Sequence, residues 1–336
     1  MNNADPLQSR YALVREMLEV PDFVRRLDVK RITSFSDRIA GGDILLTGEG
    51  SSRIFPAKKT MADAWRHRYR DRLHTEASTQ ALEYDLRDSF VFIASNSGKT
   101  KEGVRLLRRL RETGSAGIVG VVANPGTPLA TEPDSSYLLF CGPEKAVAAT
   151  KSVLEQALFY DILFRSRAGL ELPDLGRLAD LMEKTLRSTV PVELVAALKG
   201  AGTICWAGRN DGVAEELTLK TNEITRKKSD FLEGTYAAHG IEEVLDRSDA
   251  VVVVDPFPEE EAKFEEVLVR GVGLPVVAIA QRETRFPSLR VPSYGEFTPY
   301  IQLCAGWNLL VALGIALGVD LDHPVRARKI GNEFQG

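Results

Sequence analysis

The chain has 336 residues, with 44% hydrophobic and 27% charged side chains and a formal net charge of −4. That length supports two ordinary domains with substantial cores. The balance is that of a water-soluble globular protein, and the negative net charge argues against a nucleic-acid-binding surface as its main purpose.

The opening, MNNADPLQSRYALVREM, has no apolar signal-peptide core, and no apolar run is expected to reach the roughly 20 residues that cross a bilayer. A cytoplasmic location without membrane association is therefore expected. Residues 6–30 carry Leu7, Tyr11, Val14, Met17 and Leu18 at helical spacing, predicting one or two opening helices. From there, short apolar runs alternate with helical stretches. ILLTGEG (44–50), FVFIAS (90–95), GIVGVVAN (117–124) and SYLLFCG (136–142) read as strands. The helices between them include one ending near Trp65 and KTKEGVRLLRRLRE, with Val104, Leu107 and Leu110 on one side. A long apolar helix then begins near Val147.

After a linker over 166–200, with a turn at Pro173, the order repeats. TICWAG (203–208), AVVVVDP (250–256) and PVVAIAQ (275–281) read as strands. VAEELTLKTNEITRK (213–227) and residues 301–317 read as helices. Continuous apolar strands alternating with helices imply parallel sheets covered on both faces. The expected fold is therefore a duplicated α/β unit. Its divisions are an N-terminal helical segment (1–32), a first domain (33–165), a helical linker (166–199), a second domain (200–320) and a C-terminal tail (321–336).

Residues 93–103, IASNSGKTKEG, contain Gly98-Lys99-Thr100, the letters that end a nucleotide-binding P-loop. That motif needs a glycine five positions before Gly98, where Ile93 stands inside an apolar strand. What remains is Ser95, Asn96, Ser97 and Thr100 between a strand end and a helix start. There, free backbone N–H groups and the helix dipole favour an anion. A plain helix cap built from the same residue types is the competing reading. Cys141, Cys205 and Cys304 are scattered in apolar strings and read as reduced core residues; His67, His74, His239 and His323 lack metal-ligand spacing. No metal or other cofactor is expected. The clusters Arg226-Lys227-Lys228 and Arg66, Arg68, Arg70, Arg72 read either as solvated faces or as anion or subunit contacts.

Several segments together resemble the double sugar-isomerase (SIS) domain proteins: the isomerase half of glucosamine-6-phosphate synthase, related deaminases and the fructosamine-6-phosphate deglycases. They are GEGSS (48–52), SNSGKT (95–100), VAATK (147–151), LKTNEITRK (219–227) and His239-Gly240, the histidine sixteen residues beyond Glu223. The resemblance covers about residues 33–329 and implies two tandem SIS domains, each a flavodoxin-like, doubly wound parallel sheet flanked by helices. It implies that Gly50, Ser51, Ser52, Ser95, Asn96, Ser97, Thr100, Ala148 and Ala149 bind a sugar phosphate. Glu223 is then the base at C1/C2 and His239 the ring-opening group, with Lys220 and Lys329 as catalytic lysines that polarise the substrate oxygen or form an imine with the open sugar.

The implied activity is aldose–ketose isomerisation of a hexose phosphate, or deamination or deglycation of an amino- or amine-linked one, without a cofactor. The implied assembly is a homodimer with shared active sites. The chain departs from the family in two places. Ala149 stands where the synthase often has serine, and GTYAAHGIE lacks the glutamate and proline that usually flank the histidine. Within these residues nothing corresponds to the synthase's glutamine-hydrolysing half. A 6-sulfonated hexose as substrate and a non-catalytic phosphosugar sensor are the alternatives.

Overall fold

The computed structural model describes residues 1–326 and 333–334. The described chain forms two compact units, one built from residues 22–144 and 149–175, the other from 1–21, 145–148 and 176–325.

The first unit is built on strands β1 (Asp43–Thr47), β2 (Arg72–His74), β3 (Phe90–Ser95), β4 (Gly117–Val122) and β5 (Ser135–Leu138). All neighbours are parallel, in the order β2-β1-β3-β4-β5. β3 is buried along its whole length, as a central strand covered on both faces must be. Helices α2 (Ile54–His67), α3 (Lys101–Thr113) and α4 (Lys151–Arg167) flank the sheet. α3 buries Val104, Leu106, Leu107 and Leu110 and turns Arg105, Arg108 and Arg109 outward, an amphipathic stripe at period 3.6.

α4 differs, because polar side chains are buried with its apolar ones. Lys59 on α2 lies 2.6 Å from Asp63 and 2.5 Å from Asp161 on α4, and all three are essentially inaccessible. Burial lifts the Asp161 carboxyl above the ordinary range, against the pull of the Lys59 ammonium. The two helices are thus joined by an ion cluster as well as by apolar contact.

The second unit repeats the plan with β6 (Thr203–Gly208), β7 (Lys228–Glu233), β8 (Ala250–Val254), β9 (Val276–Ala280) and β10 (Ser288–Arg290). They are again parallel, in the order β10-β9-β8-β6-β7. Counted from the first strand of each set, the two sheets share one winding. The helices of this unit include α1 (Ala12–Leu18), α5 (Leu175–Leu186), α6 (Val192–Lys199), α7 (Val213–Thr225), the short α8 (Glu261–Phe264) and α9 (Thr298–Ala316). Its core joins Cys205, Val251, Val253, Phe264, Leu268 and Phe286.

Three strands escape the sequence pattern: β2, β7 and β10. Each is an edge strand. Their residues, RLH, KSDFLE and SLR, mix exposed with half-buried and buried positions and carry charges, as sheet edges do. The apolar-run expectation also needs correction. α9 belongs to a 22-residue segment, Gly295–Ala316, long and apolar enough to cross a membrane, but 83% of its most apolar window is buried inside the protein. It is a core helix of the second sheet layer.

Four members of the basic clusters make local contacts. Arg66 pairs with Asp63, and Arg72 makes a two-pronged bond to Asp43. Arg226 caps α7 and donates to the Asp320 carbonyl, and Lys227 donates to the carbonyl of Ala201.

Candidate functional site

In a sheet of this order, connections from neighbouring central strands leave in opposite directions and open a crevice outside the strand carboxyl ends. In the first unit that switch point lies between β1 and β3. Gly48–Ser52 follows β1, and Ser95–Thr100 closes β3 and leads into α3.

The Ser95–Thr100 turn is held by its own side chains. The Ser95 hydroxyl accepts from Gly98 N–H at 3.0 Å and pairs with the Thr100 hydroxyl at 2.7 Å, and Ser97 Oγ accepts from Lys99 N–H at 3.1 Å. Gly98 sits at φ +70°, and a Cβ there would fall 2.1 Å from Thr127 Oγ1. Only glycine fits. Ser95 is buried and braces the turn, whereas Asn96, Ser97 and Thr100 are half-buried at its rim. Thr100 occupies the cap position of α3 without bonding its hydroxyl to the helix.

Gly50–Ser52 forms a single turn facing into α2, with Ser51 buried and Ser52 half-buried. Gly48 is needed here for close approach, since a Cβ would lie 2.8 Å from the Ala94 carbonyl oxygen. Ala148 is buried and Ala149 half-buried just ahead of α4, so their methyl side chains leave only backbone groups for polar contact. Glu49 faces elsewhere and accepts from Thr79.

The equivalent switch point of the second unit, between β6 and β8, has no hydroxyl-rich turn. The segment after β8 reads Asp255-Pro256-Phe257, and Asp255 pairs with Arg209 at 3.0 Å. Its chemistry lies on α7 instead. Glu216, Lys220 and Glu223 are one helical turn apart on one face. Lys220 Nζ lies 3.2 Å from Glu216 Oε1 and 2.8 Å from Glu223 Oε2. Side-chain exposure rises from 0% at Glu216 and Lys220 to 26% at Glu223, so the ladder begins in the core and ends at the surface.

Burial would pull Lys220 down, but the Glu223 and Glu216 carboxylates outweigh it and hold the ammonium above the usual lysine range. Lys220 is thus held between two carboxylates on one helix face. Glu216 was missed from sequence, although Glu-x-x-x-Lys-x-x-Glu on one helix face was the available signal.

His239 is exposed, at the end of a single turn over Tyr236–Ala238, and its Nε2 lies 3.2 Å from Lys263 Nζ on α8. Its recorded bond is to Lys263 and not to Glu223. Lys329 falls outside the described residues. Among the described residues, no group of three or more His, Cys, Asp or Glu side chains has the arrangement of a metal site. The cysteines are buried, and burial pushes the Cys205 thiol up to about 11 and raises those of Cys141 and Cys304 further. None is a reactive thiolate.

Residues 74–166 match the family model described as SIS domain. The glutamine–fructose-6-phosphate aminotransferase [isomerizing] of Aeropyrum pernix is 29% identical over 270 residues, which is 70% of this chain and 42% of that protein. The chain thus spans less than half the length of this curated relative. Among solved structures, the C-terminal domain of glucosamine-fructose-6-phosphate aminotransferase from Francisella tularensis superposes with a TM-score of 0.78 at 17% identity, covering 94% of this chain and 98% of that one. Glucosamine-6-phosphate deaminase from Thermotoga maritima gives 0.77 at 16% identity, covering 95% and 98%. At these identities the two structures speak for the fold. The family match over residues 74–166 and the curated relative make the chain similar to SIS-domain proteins.

Proposed function

We propose that the protein is an isomerase-type enzyme acting at C1/C2 of a hexose phosphate. The observation that carries this reading is the ladder on α7. A solvated surface glutamate has no need of a fully buried lysine, and a buried lysine is costly unless it serves a purpose. Here the buried lysine is paired with a carboxyl group, Glu223, that reaches the surface.

In this reading the turn Ser95–Thr100, with Gly50–Ser52 and the backbone at Ala148 and Ala149, receives the sugar's anionic group. His239 moves the proton that opens the ring, as an imidazole can near neutral pH. Glu223 takes the proton from C2 of the open-chain aldose. The C–H electron pair forms the C1=C2 bond of an enediol and the C1 oxygen gains a proton. Return of a proton to C1, with loss of one from the C2 hydroxyl, gives the ketose. The Lys220 ammonium orients the Glu223 carboxylate and sets positive charge near the oxygen that becomes negative. Deamination or deglycation of an amino- or amine-linked hexose phosphate runs through the same chemistry with nitrogen in place of one oxygen.

A homodimer with shared sites and a cytoplasmic location are part of this reading, and light scattering on the purified protein tests the first. The activity test is turnover of a panel of hexose 6-phosphates, amino-hexose 6-phosphates, fructosamine 6-phosphates and 6-sulfohexoses, with products identified by NMR. One panel member converted, and the conversion abolished in Glu223→Gln, supports the reading. Binding without conversion across the panel overturns it in favour of a sensor.

A further inference from the structure

Glu144 lies in the segment between β5 and α4, and neither the motifs nor the proposed chemistry uses it. It is 8% exposed and stands at the centre of a hydrogen-bond cluster. Its carboxylate accepts from Asn96 Nδ2 at 2.8 Å, from the backbone N–H groups of Thr150 at 2.6 Å and Lys151 at 2.8 Å, and from Ser152 Oγ at 2.5 Å. The Thr150 hydroxyl also lies 3.4 Å from the same carboxylate.

Two consequences follow. The N-terminus of α4 would otherwise attract an anion, and Glu144 already supplies one there. A ligand anion is thereby directed to the N-terminus of α3, where Thr100 leaves the helix uncapped by its side chain. Second, Asn96 is fixed from two sides. Its side-chain amide is committed to Glu144, while its backbone carbonyl accepts from Ala123 N–H at 3.2 Å and from Asn124 Nδ2 at 2.9 Å. Asn96 and Ser97 have no regular secondary structure to hold them. Side-chain and turn bonds do that work, and the bond to Glu144 joins the turn to α4, one of the unit's buried helices.

We propose that Glu144 is a positioning residue for the anion-binding turn: it holds Asn96, and through it Ser97–Thr100, in the geometry that receives the phosphate, without touching the ligand. This rests on the reading of residues 95–100 as the anion site.

The test is calorimetric binding of fructose 6-phosphate, and separately of inorganic phosphate, to the full chain. Wild type is compared with Glu144→Gln, Asn96→Ala, the double variant and Ser152→Ala, with melting temperatures measured alongside. Glu144→Gln keeps the shape but removes the charge that grips these donors, so both ligands bind about tenfold more weakly. The double variant binds no worse than the weaker single one, because both act through one bond. For any panel member that turns over, KM rises while kcat stays within about twofold.

A residue that merely caps α4 would lower the melting temperature and leave both affinities unchanged, and that result overturns the proposal. So do fully additive losses in the double variant. Wild type binding neither ligand removes the anion-site reading and the proposal with it; wild-type binding left intact by Glu144→Gln strikes the proposal alone. Should Glu144→Gln fail to fold, Ser152→Ala carries the test. It removes a donor on the Glu144 oxygen that Asn96 shares, and binding weakens about threefold if Glu144 positions the turn. Unchanged binding in that variant overturns the idea.

Discussion

Replacing Lys220 by methionine probes the ladder on α7 most sharply. The ammonium is inaccessible and lies between Glu216, also inaccessible, and the partly exposed Glu223. Methionine fills similar volume but takes the Lys220 cation away from the buried Glu216 carboxylate. Breaking a buried pair by removing one partner costs about 3–5 kcal/mol. The share from Glu223 is smaller, because water reaches that carboxylate.

The sign with pH follows from the direction of the shift. Lys220 is held above the ordinary lysine value of 10.5 in the folded chain. Its stabilising contribution is therefore fully present below that pH and is lost as pH rises through the higher folded value. In urea unfolding at pH 7, Lys220→Met should lose about 3–5 kcal/mol relative to wild type, and the gap should narrow above about pH 10.5. Adding Glu216→Gln should return part of the loss, since that buried charge is then gone. A loss below about 1 kcal/mol at pH 7, or no recovery in the double variant, would refute the claim that burial makes this pair interdependent.

Lys59→Met should cost about 3–5 kcal/mol in the same assay, because it removes the buried cation that Asp161 shares with Asp63, although Asp63 keeps Arg66 and Arg165. Gly98→Ala should destabilise by at least about 1 kcal/mol and abolish phosphate binding, since positive φ and the Thr127 clash act together; calorimetry and thermal melting read the two effects. Ser95→Ala and Ser97→Ala should separate: the buried brace costs about 1 kcal/mol of stability as well as affinity, and the rim hydroxyl costs affinity alone. Thr221→Val should leave the Trp206 indole N–H, now bonded at 2.7 Å, unsatisfied in the core, with a loss of about 1–3 kcal/mol and altered tryptophan fluorescence.

Much of this architecture is legible in the chain. FVFIAS and AVVVV are apolar throughout because both faces of a central parallel strand are covered, and nothing else in a soluble protein asks for that. The same logic hides the edges. β7 is KSDFLE, and its alternation of charge and apolar residues reads as loop until its pairing with β6 is seen.

The site divides in the same way. Ser95–Thr100 stands out by clustered hydroxyls after a strand, whereas Glu223 is singled out only through the family resemblance and its spacing from His239. Sequence could not tell that Ser95 faces inward as a brace while Ser97 stays at the rim, because neighbouring serines differ only in the direction the backbone gives them. Nor could it show that Lys220 is locked as a cation, which needs two carboxylates brought to one buried nitrogen. Glu144 is more opaque still. In GPEKAV it looks like a loop glutamate, and only folding joins it to Asn96, 48 positions away.

The central claim, that Glu223 moves a proton between C1 and C2, is tested most directly by proton NMR in D₂O. Wild type and Glu223→Gln would be incubated with whichever panel sugar binds, and the C1 and C2 proton signals followed. The mechanism predicts deuterium entering at C1 or C2 with wild type and a loss of that exchange of at least about a hundredfold in the variant. Exchange continuing at the wild-type rate in Glu223→Gln would contradict the account and move the base elsewhere.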